Sequence, residues 1–207
     1  MSHFSTPQEE FWAGNFGEDY VTRNTIEDLY APNLRFFSRA LSSCLSIESI
    51  IEFGPNVGGN LKALSSLYPQ ASLSGVELNK NACIALKTNL PETDVVHQSI
   101  LDFIPSTSYD LALIKGVMIH LNPDCLSDVY EKLYNASKKY ILVCEYYNPT
   151  PVTINYRGHA DRLFKRDFAG ELCQKFPDLS MIDYGFIYKS DPAFTALDDI
   201  TWFLLAK

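Results

Sequence analysis

The chain contains no long apolar run and no stretch typical of a secretory leader. None of its apolar segments approaches the ~18 residues that a membrane-spanning helix needs. The opening Met1-Ser2-His3-Phe4-Ser5 lacks the basic stretch and the apolar region of a signal peptide. The cysteines are odd in number, scattered and set within apolar patterns, as small buried thiols are: Cys44, Cys83, Cys125, Cys144 and Cys173. We therefore expect a reduced, cytoplasmic protein with no membrane partner.

Basic residues are also scarce. The chain has 17 Lys and Arg against 25 Asp and Glu, which gives a formal net charge of −8. A nucleic-acid binder normally needs a basic face that displaces phosphate counterions, and only residues 157–166 are locally basic. The four histidines (His3, His97, His120 and His159) show no ligand spacing with one another or with cysteine. We therefore expect neither a nucleic-acid partner nor a metal site.

The length and the alternation of patterns predict a single α/β domain. The 207 residues are 46% hydrophobic, enough for one sizeable core. Strand-like runs alternate with helical patterns, which is typical of a doubly wound parallel sheet: strands at 49–53, 72–77, 94–97, 109–115 and 139–146, with helices at 58–68, 79–89 and from Asn122 onward. After a helix at 168–176, strands at 181–188 and 199–206 follow without a helix between them. We therefore predict a seven-stranded, mostly parallel sheet whose last strand is antiparallel.

The predicted domain covers 1–207 and divides into four segments. Residues 1–48 form an N-terminal helical lid, in which Pro32 and Asn33 open an apolar helical stripe and 11–20 are rich in aromatics. Residues 49–146 form the core, and 168–207 supply the last helix and the hairpin. Residues 147–167 form an insertion in which Tyr156-Arg157-Gly158-His159 has neither a helical nor a strand period. This insertion follows the carboxyl end of a strand, where substrates bind in such sheets.

Two strand ends indicate a nucleoside ligand. The first strand ends in Glu52-Phe53-Gly54-Pro55-Asn56-Val57-Gly58, and the glycines allow backbone N–H groups to approach a ligand closely. The second strand ends in Glu77, 23 residues after Gly54, about where a nucleotide-binding α/β unit places its ribose-binding carboxylate.

These residues resemble the motifs of a known family. The first-strand motif, Glu77, Ser99-Ile100-Leu101-Asp102-Phe103 and Asp110-Leu111-Ala112-Leu113-Ile114-Lys115-Gly116-Val117 resemble the first four motifs of class I S-adenosylmethionine (SAM)-dependent methyltransferases. The predicted terminal hairpin is also a hallmark of that family. A closer similarity, over 11–24, 115–124, 145–151, 156–159, 163–171 and 198–205, is to the pseudaminic acid biosynthesis-associated methylases. The resemblance implies a Rossmann-like fold, SAM as cofactor, and a sugar acceptor of bacterial surface glycans.

The resemblance, together with position at strand ends, assigns site residues. The cofactor set follows the strand ends and adds two residues of the lid: Tyr20, Arg23, Glu52, Gly54, Pro55, Asn56, Gly58, Glu77, Leu78, Ser99, Ile100, Lys115, Gly116 and Val117. The acceptor set gathers aromatic and polar residues that suit an anionic sugar or sugar nucleotide: Tyr146, Tyr147, Asn148, Tyr156, Arg157 and His159. His120 and His159 are the candidate general bases, needed if the acceptor is a hydroxyl or a protonated amine.

Several alternatives stay open. Tyr134-Asn135-Ala136-Ser137-Lys138 imitates the Tyr-x-x-x-Lys pair of nicotinamide-dependent oxidoreductases, but the predicted topology puts it at the wrong end of the sheet. A non-catalytic binder, or methylation of a peptide or another small metabolite, also fits the fold. The sequence is compatible with oxygen or nitrogen as acceptor atom and with a monomer or a homodimer.

Overall fold

The computed structural model describes residues 4–23 and 25–207. His3 and Asn24, which figured in the sequence predictions, lie outside the described residues. Nine strands follow one another along the chain: β1 Ser49–Phe53, β2 Ser72–Glu77, β3 Asp94–His97, β4 Tyr109–Lys115, β5 Ser137–Glu145, β6 Val152–Tyr156, β7 His159–Lys165, β8 Ser180–Ile187 and β9 Ile200–Ala206. Seven helices accompany them: α1 Pro7–Ala13, α2 Asn15–Arg23, α3 Ile26–Ala40, α4 Gly59–Leu67, α5 Lys80–Asn89, α6 Leu126–Ala136 and α7 Phe168–Lys175.

The central sheet has seven strands in the order β3-β2-β1-β4-β5-β9-β8. Strands β1 to β5 pair in parallel, whereas β9 is antiparallel to both β5 and β8. The doubly wound, mostly parallel sheet with an antiparallel last strand is therefore confirmed. The strand order reverses between β1 and β4, and such a switch point opens a crevice at the carboxyl ends of the strands.

Both faces of the sheet are covered by apolar side chains. Ile51 and Phe53 of β1 belong to the buried cluster that includes α6 and α7 residues. Ile50 of the same strand points to the other face of the sheet. There it packs in a second buried cluster with residues of α3 and α4. A strand's side chains alternate between faces, so a continuous apolar run such as Ile50-Ile51 is what a sheet buried on both sides requires.

The third helix begins earlier than the sequence predicts. α3 begins at Ile26, because Thr25 caps it by accepting a hydrogen bond from the Asp28 backbone N–H at 3.3 Å. Pro32 therefore lies inside the helix and does not open it. The proline removes one backbone hydrogen bond of α3, and the helix is held by the burial of Phe36, Phe37 and Ala40 against the sheet as well as by its cap. The Asn122 cap forms as predicted, but it opens a 3₁₀ turn, Pro123–Cys125, that precedes α6.

The segment 147–167 is not irregular, which corrects the prediction made for Tyr156-Arg157-Gly158-His159. β6 and β7 form a separate antiparallel hairpin, with Tyr156 opposite His159. Arg157 and Gly158 have φ of +50° and +85°, as the two central residues of a tight hairpin turn do. Most of the hairpin's first strand is exposed on both sides, so burial imposes no alternating pattern on its sequence.

Three further properties bear on partners. Within 4–23 and 25–207, no helix has the length and apolarity to cross a membrane. The same residues contain no group of three or more His, Cys, Asp or Glu able to hold a metal ion. All five cysteines are free thiols.

Candidate functional site

A cavity of about 270 Å³ lies at the carboxyl ends of the parallel strands. Its floor is formed by the turn after β1, the ends of β2 and β4, and the loop after β3. The N-terminal helices α1 and α2 form one wall of the cavity, and the loop before β9 forms another. Of the predicted site residues, these line the cavity: Tyr20, Gly54, Pro55, Asn56, Glu77, Leu78, Ser99, Ile100, Lys115, Gly116, Val117, His120, Tyr146 and Tyr156.

The turn after β1 is held in a conformation that few residues tolerate. Gly54 has φ of +77°, and a Cβ there would lie 2.6 Å from Val117 Cγ2. Asn56 has φ of +50°, in the left-handed region where Asn is several-fold enriched. Gly58, with φ of +91°, is the N-cap of α4 and lies beneath the cavity wall. The turn thereby presents main chain, with no Cβ at Gly54, to the cavity.

Glu77 holds the neighbouring loops together. Its two carboxylate oxygens accept hydrogen bonds from the backbone N–H groups of Asn56, at 2.9 Å, and Asn79, at 2.8 Å. Burial raises the pKa of Glu77, although these backbone N–H groups oppose the shift. Each carboxylate oxygen has a second lone pair. Glu77 can therefore accept further hydrogen bonds from a ligand in the cavity.

A second buried carboxylate lies below the same turn. Glu52 is fully buried and accepts a hydrogen bond from Asn60 Nδ2, while its Oε2 has no hydrogen-bond partner in the described part of the chain. Burial raises the pKa of Glu52 to about 8, opposed by Asn60 and by the charge of Lys115. Lys115, at the end of β4, reaches the cavity, and burial lowers its pKa. Glu52 therefore contacts the first turn of α4 through Asn60, and it does not line the cavity although the sequence analysis assigned it to the cofactor set.

Glu9 is a site residue that the sequence predictions missed. It lies in α1, is only 4% exposed and lines the cavity. Ser99 Oγ donates a short hydrogen bond to Glu9 Oε1, and the Thr6 backbone N–H donates to Glu9 Oε2 at 2.9 Å. Thr6 and Glu9 form a capping box, so the Thr-x-x-Glu pattern at 6–9 was the available signal. That pattern predicts a helix start but not the contact with a residue 90 positions away.

Glu145 is the second missed residue. This fully buried acid ends β5 and accepts backbone N–H groups from Val117 at 3.0 Å, Met118 at 2.9 Å and Ile119 at 3.4 Å. These residues open the 3₁₀ turn Met118–His120. Burial raises the pKa of Glu145 to about 7, against the effect of the three N–H groups. Glu145 thus fixes the loop that carries His120 into the cavity wall.

His120 is held in one tautomer. Its Nδ1 lies 2.6 Å from the Arg162 carbonyl oxygen, which can only accept, so Nδ1 carries the proton. Burial lowers the pKa of His120 to about 4, which keeps the ring neutral near pH 7. Nε2 therefore has a free lone pair. The ring packs between Trp12 and Tyr156, whose ring centroids lie 4.7 and 4.9 Å away.

The opposite wall combines aromatic and charged groups. Tyr146 Oη donates to Asp198 at 2.9 Å, and Lys165 Nζ lies 5.1 Å from the Tyr146 ring centroid. Asp198 belongs to the loop before β9, which also contributes Ala196 and Leu197 to the wall. The sequence predictions assigned no site residue to this loop.

Other predicted residues lie away from the cavity wall. Arg23 is exposed on α2 and packs over Phe16 and Tyr20. The remaining ones lie on the hairpin or at its base: Tyr147 against Phe203, Asn148 bonded to Thr150, Arg157 in the exposed turn, and His159 with its ring 5.0 Å from Phe11. Tyr134 of the dehydrogenase-like pair stacks on Phe176 and does not line the cavity.

The same fold occurs in solved structures of low sequence identity. A SAM-dependent methyltransferase from Leishmania major matches with a TM-score of 0.70 at 17% identity, over 96% of this chain and 81% of that chain. The magnesium protoporphyrin IX methyltransferase of Synechocystis PCC 6803, solved with bound SAM, gives 0.69 at 10% identity over 100% of both chains. The plantazolicin methyltransferase, in complex with S-adenosylhomocysteine (SAH), gives 0.66 at 14% identity over 97% and 93%. No family model and no curated protein matches the sequence. The chain has the Rossmann-like fold of class I SAM-dependent methyltransferases.

The close contact at Gly54 generates the first prediction. Gly54→Ala adds a Cβ 2.6 Å from Val117 Cγ2, whereas Gly158→Ala meets nothing within 4 Å, although both glycines have positive φ. Both variants incur the backbone strain of about 1 kcal/mol, but only Gly54→Ala must displace Val117 in the cavity wall. We expect Gly54→Ala to lose more stability by urea denaturation than Gly158→Ala. When Val117→Ala is combined with Gly54→Ala, the extra loss of stability should disappear. Equal losses in Gly54→Ala and Gly158→Ala would contradict the contact.

Glu145 generates a prediction about pH. Because its pKa is raised to about 7, its contribution to stability is fully present below the ordinary glutamate pKa and is lost as pH rises through 7. Glu145→Gln removes this titration while keeping an oxygen that accepts the backbone N–H groups. Between pH 5 and pH 8 the unfolding free energy of the native chain should fall by about 2–3 kcal/mol more than that of Glu145→Gln. Urea titrations at each pH measure this, with the exposed Glu92→Gln as control; parallel pH profiles for all three proteins would refute it.

Proposed function

We propose that the protein is a SAM-dependent methyltransferase that binds SAM in the cavity and methylates a small polar acceptor. One observation carries the proposal: the strained glycine turn after β1 and the Glu77 carboxylate at the end of β2 face one cavity and are hydrogen-bonded to each other. A main-chain turn suits the amino-acid part of SAM, and a carboxylate suits the two ribose hydroxyls. The fold shared with SAM-dependent methyltransferases supports the assignment.

The polar groups of the wall fit such a cofactor. Three buried atoms that belong to wall residues have no hydrogen-bond partner among the residues that the structure describes: Gln8 Oε1, Trp12 Nε1 and Asn56 Oδ1. Buried polar atoms are nearly always paired, so unpaired ones around a cavity indicate a ligand or water. A Cβ added to Gly116 would meet nothing within 4 Å, so the wall leaves room beside it. These features suit a ligand rich in donors and acceptors.

The predicted cofactor residues fall into groups at successive strand ends, and each group would hold a different part of SAM. Gly54, Pro55 and Asn56 would hold the methionine part, with Gly58 and Glu52 supporting the turn. Glu77 and Leu78 would hold the ribose, and Ser99 and Ile100 would border the adenine. Lys115, Gly116 and Val117 would lie next to the reacting end, with Tyr20 above them. Arg23, on the outer side of α2, would act through Tyr20 only.

The protein's own contribution to the reaction would be chiefly positioning. Bound SAM supplies a methyl group on a good leaving group. The walls exclude water and hold the acceptor close, an effect that can correspond to ~7–11 kcal/mol of barrier. His120 Nε2 can accept a hydrogen bond from an acceptor hydroxyl or amine. With a pKa of about 4, His120 is a weak base, so it would orient the acceptor more than deprotonate it.

The acceptor we propose is a sugar or sugar nucleotide, as the resemblance to the pseudaminic acid-associated methylases implies. Tyr146 and Tyr156 offer aromatic faces in the cavity wall. Lys115 lines the cavity and Lys165 lies beside Tyr146, so both could attract an anion bound there. Arg157, His159, Tyr147 and Asn148 would take part only at the rim, because they lie outside the cavity wall. A peptide or another small metabolite remains the alternative, since the similar structures include plantazolicin and magnesium protoporphyrin IX methyltransferases.

Ligand-induced stabilisation tests the cofactor. SAH at a hundredfold excess over its dissociation constant should raise the unfolding free energy by ~2.7 kcal/mol, while NAD should have no effect. Thermal denaturation with each ligand measures this. Glu77→Gln should stay folded but lose most of the SAH-induced shift, whereas the exposed control Glu92→Gln should keep it. Stabilisation by NAD and not by SAH would favour an oxidoreductase and overturn the proposal.

Methyl transfer tests the acceptor. Incubation with labelled SAM and an extract of nucleotide sugars should give a labelled anionic sugar product, identified by mass. Extracts of peptides and of other metabolites serve as the parallel arms. Label in the peptide arm alone would replace the sugar proposal and leave the methyltransferase proposal intact.

A further inference from the structure

We propose that Glu9 of α1 reads the exocyclic amino group of the adenine, so that the N-terminal helix forms part of the nucleobase site. The inference rests on the proposed function, since it presumes that an adenosine ligand occupies the cavity. It assigns base recognition to a residue distant in sequence from the strand-end motifs.

The order of the strand ends locates the base. The glycine turn follows β1, Glu77 ends β2, and Ser99 follows β3, and these three strands are neighbours in the sheet. A ligand held by its amino-acid part at the first and by its ribose at the second therefore places its base at the third. Glu9 is hydrogen-bonded to Ser99 and lines the cavity at this point.

The hydrogen bonds at Ser99 leave an acceptor facing the base. The Ser99 hydroxyl donates its only proton to Glu9 Oε1, and its oxygen accepts from the Leu101 backbone N–H at 3.0 Å. Ser99 thus has no proton left to donate to a ring nitrogen of adenine. Glu9 Oε2 accepts from both the backbone N–H and the hydroxyl of Thr6, whereas Glu9 Oε1 accepts only from Ser99 and retains a lone pair. The group that complements this lone pair is a ligand donor, such as the 6-amino group.

A neighbouring residue independently points to a ligand donor. Gln8 is 6% exposed, and within residues 4–23 and 25–207 its Oε1 has no hydrogen-bond partner. Its Nε2 donates to the Asp161 carbonyl oxygen at 3.1 Å, which fixes the amide so that the oxygen remains the unpaired atom. α1 therefore contributes two consecutive buried acceptors to the cavity wall. An adenine amino group has two N–H donors.

A pair of ligands that differ only at position 6 and N1 of the base tests the inference. S-inosylhomocysteine is SAH with the 6-amino group replaced by a carbonyl oxygen and with a hydrogen on N1. Its carbonyl oxygen would face the Glu9 carboxylate without a proton between them. By isothermal titration calorimetry, the native chain should bind SAH about tenfold or more tightly than S-inosylhomocysteine, because a buried acceptor loses its partner. Glu9→Gln should weaken SAH binding and reduce that ratio to roughly one, since the amide can also donate to a carbonyl.

Glu9→Gln is expected to fold, because glutamine serves equally at this capping-box position. Glu10→Gln is the matched control, since Glu10 is the next residue of α1 but is exposed and does not line the cavity. It should keep both affinities, and far-UV circular dichroism checks the fold of each variant.

The outcomes separate the two proposals. A native chain that binds neither ligand overturns the proposed function and this inference with it. A native chain that binds both ligands equally, a result that needs no variant, overturns the inference alone. A Glu9→Gln variant that keeps the native ratio likewise assigns base recognition to another residue.

Discussion

Buried carboxylates that accept backbone N–H groups are the constraint on which the cavity depends. Glu77 joins the turn after β1 to the start of α5, and Glu145 gathers the three N–H groups that open the Met118–His120 turn. Glu9 does the same for the start of α1 and adds Ser99. Buried main-chain donors must be paired, and here carboxylates accept them, either locally, as Glu9 does for Thr6, or from a distant strand, as Glu145 does for Met118. The cavity lies where these three acids fix the segments around the carboxyl ends of the strands.

The same acids give the cavity its electrostatic character. Glu9, Glu77 and Asp198 line it, and Lys115 is the one Lys or Arg among the lining residues that the structure describes. Burial raises the pKa of Glu52, Glu77 and Glu145 and lowers that of Lys115. Burial therefore disfavours the ionised form of the acids and of the lysine alike. A ligand that brings its own cationic groups would offset the excess of acid. The sulfonium and ammonium groups of SAM are of this kind, whereas an anionic acceptor needs Lys115 or the rim.

The sequence predicted the sheet and the residues at the carboxyl ends of its strands that line the cavity, but not the residues that close the cavity from a distance. The strands were readable because each is a short apolar run. Gly54 follows β1 at once and Glu77 ends β2, at the edge where open α/β sheets bind their ligands. Glu9 and Glu145 look like ordinary acids in the sequence, since their partners lie 90 and 26–28 positions away. The β6–β7 hairpin escaped prediction because its first strand is exposed and its turn uses Arg157, an unusual residue at positive φ. His159 was expected in the site, but it packs against Phe11 and Phe16 and does not line the cavity.

The aromatic residues of α1 and α2 connect the N-terminal helices to the hairpin and to the loop after β4. Trp12 packs against His120 and Tyr20, and Phe16 packs against Tyr156 of the hairpin. His120 is in turn fixed by the Arg162 carbonyl of β7 and by the loop that Glu145 holds. Ring contacts are individually weak, about 0.5–1.5 kcal/mol each, but they share residues and so reinforce one another. The N-terminal helices, the hairpin and the loop after β4 therefore form one continuous contact network. Because a ligand between Glu9 and Glu77 would touch α1 and the sheet together, its binding would stabilise the whole network and not only the strand ends.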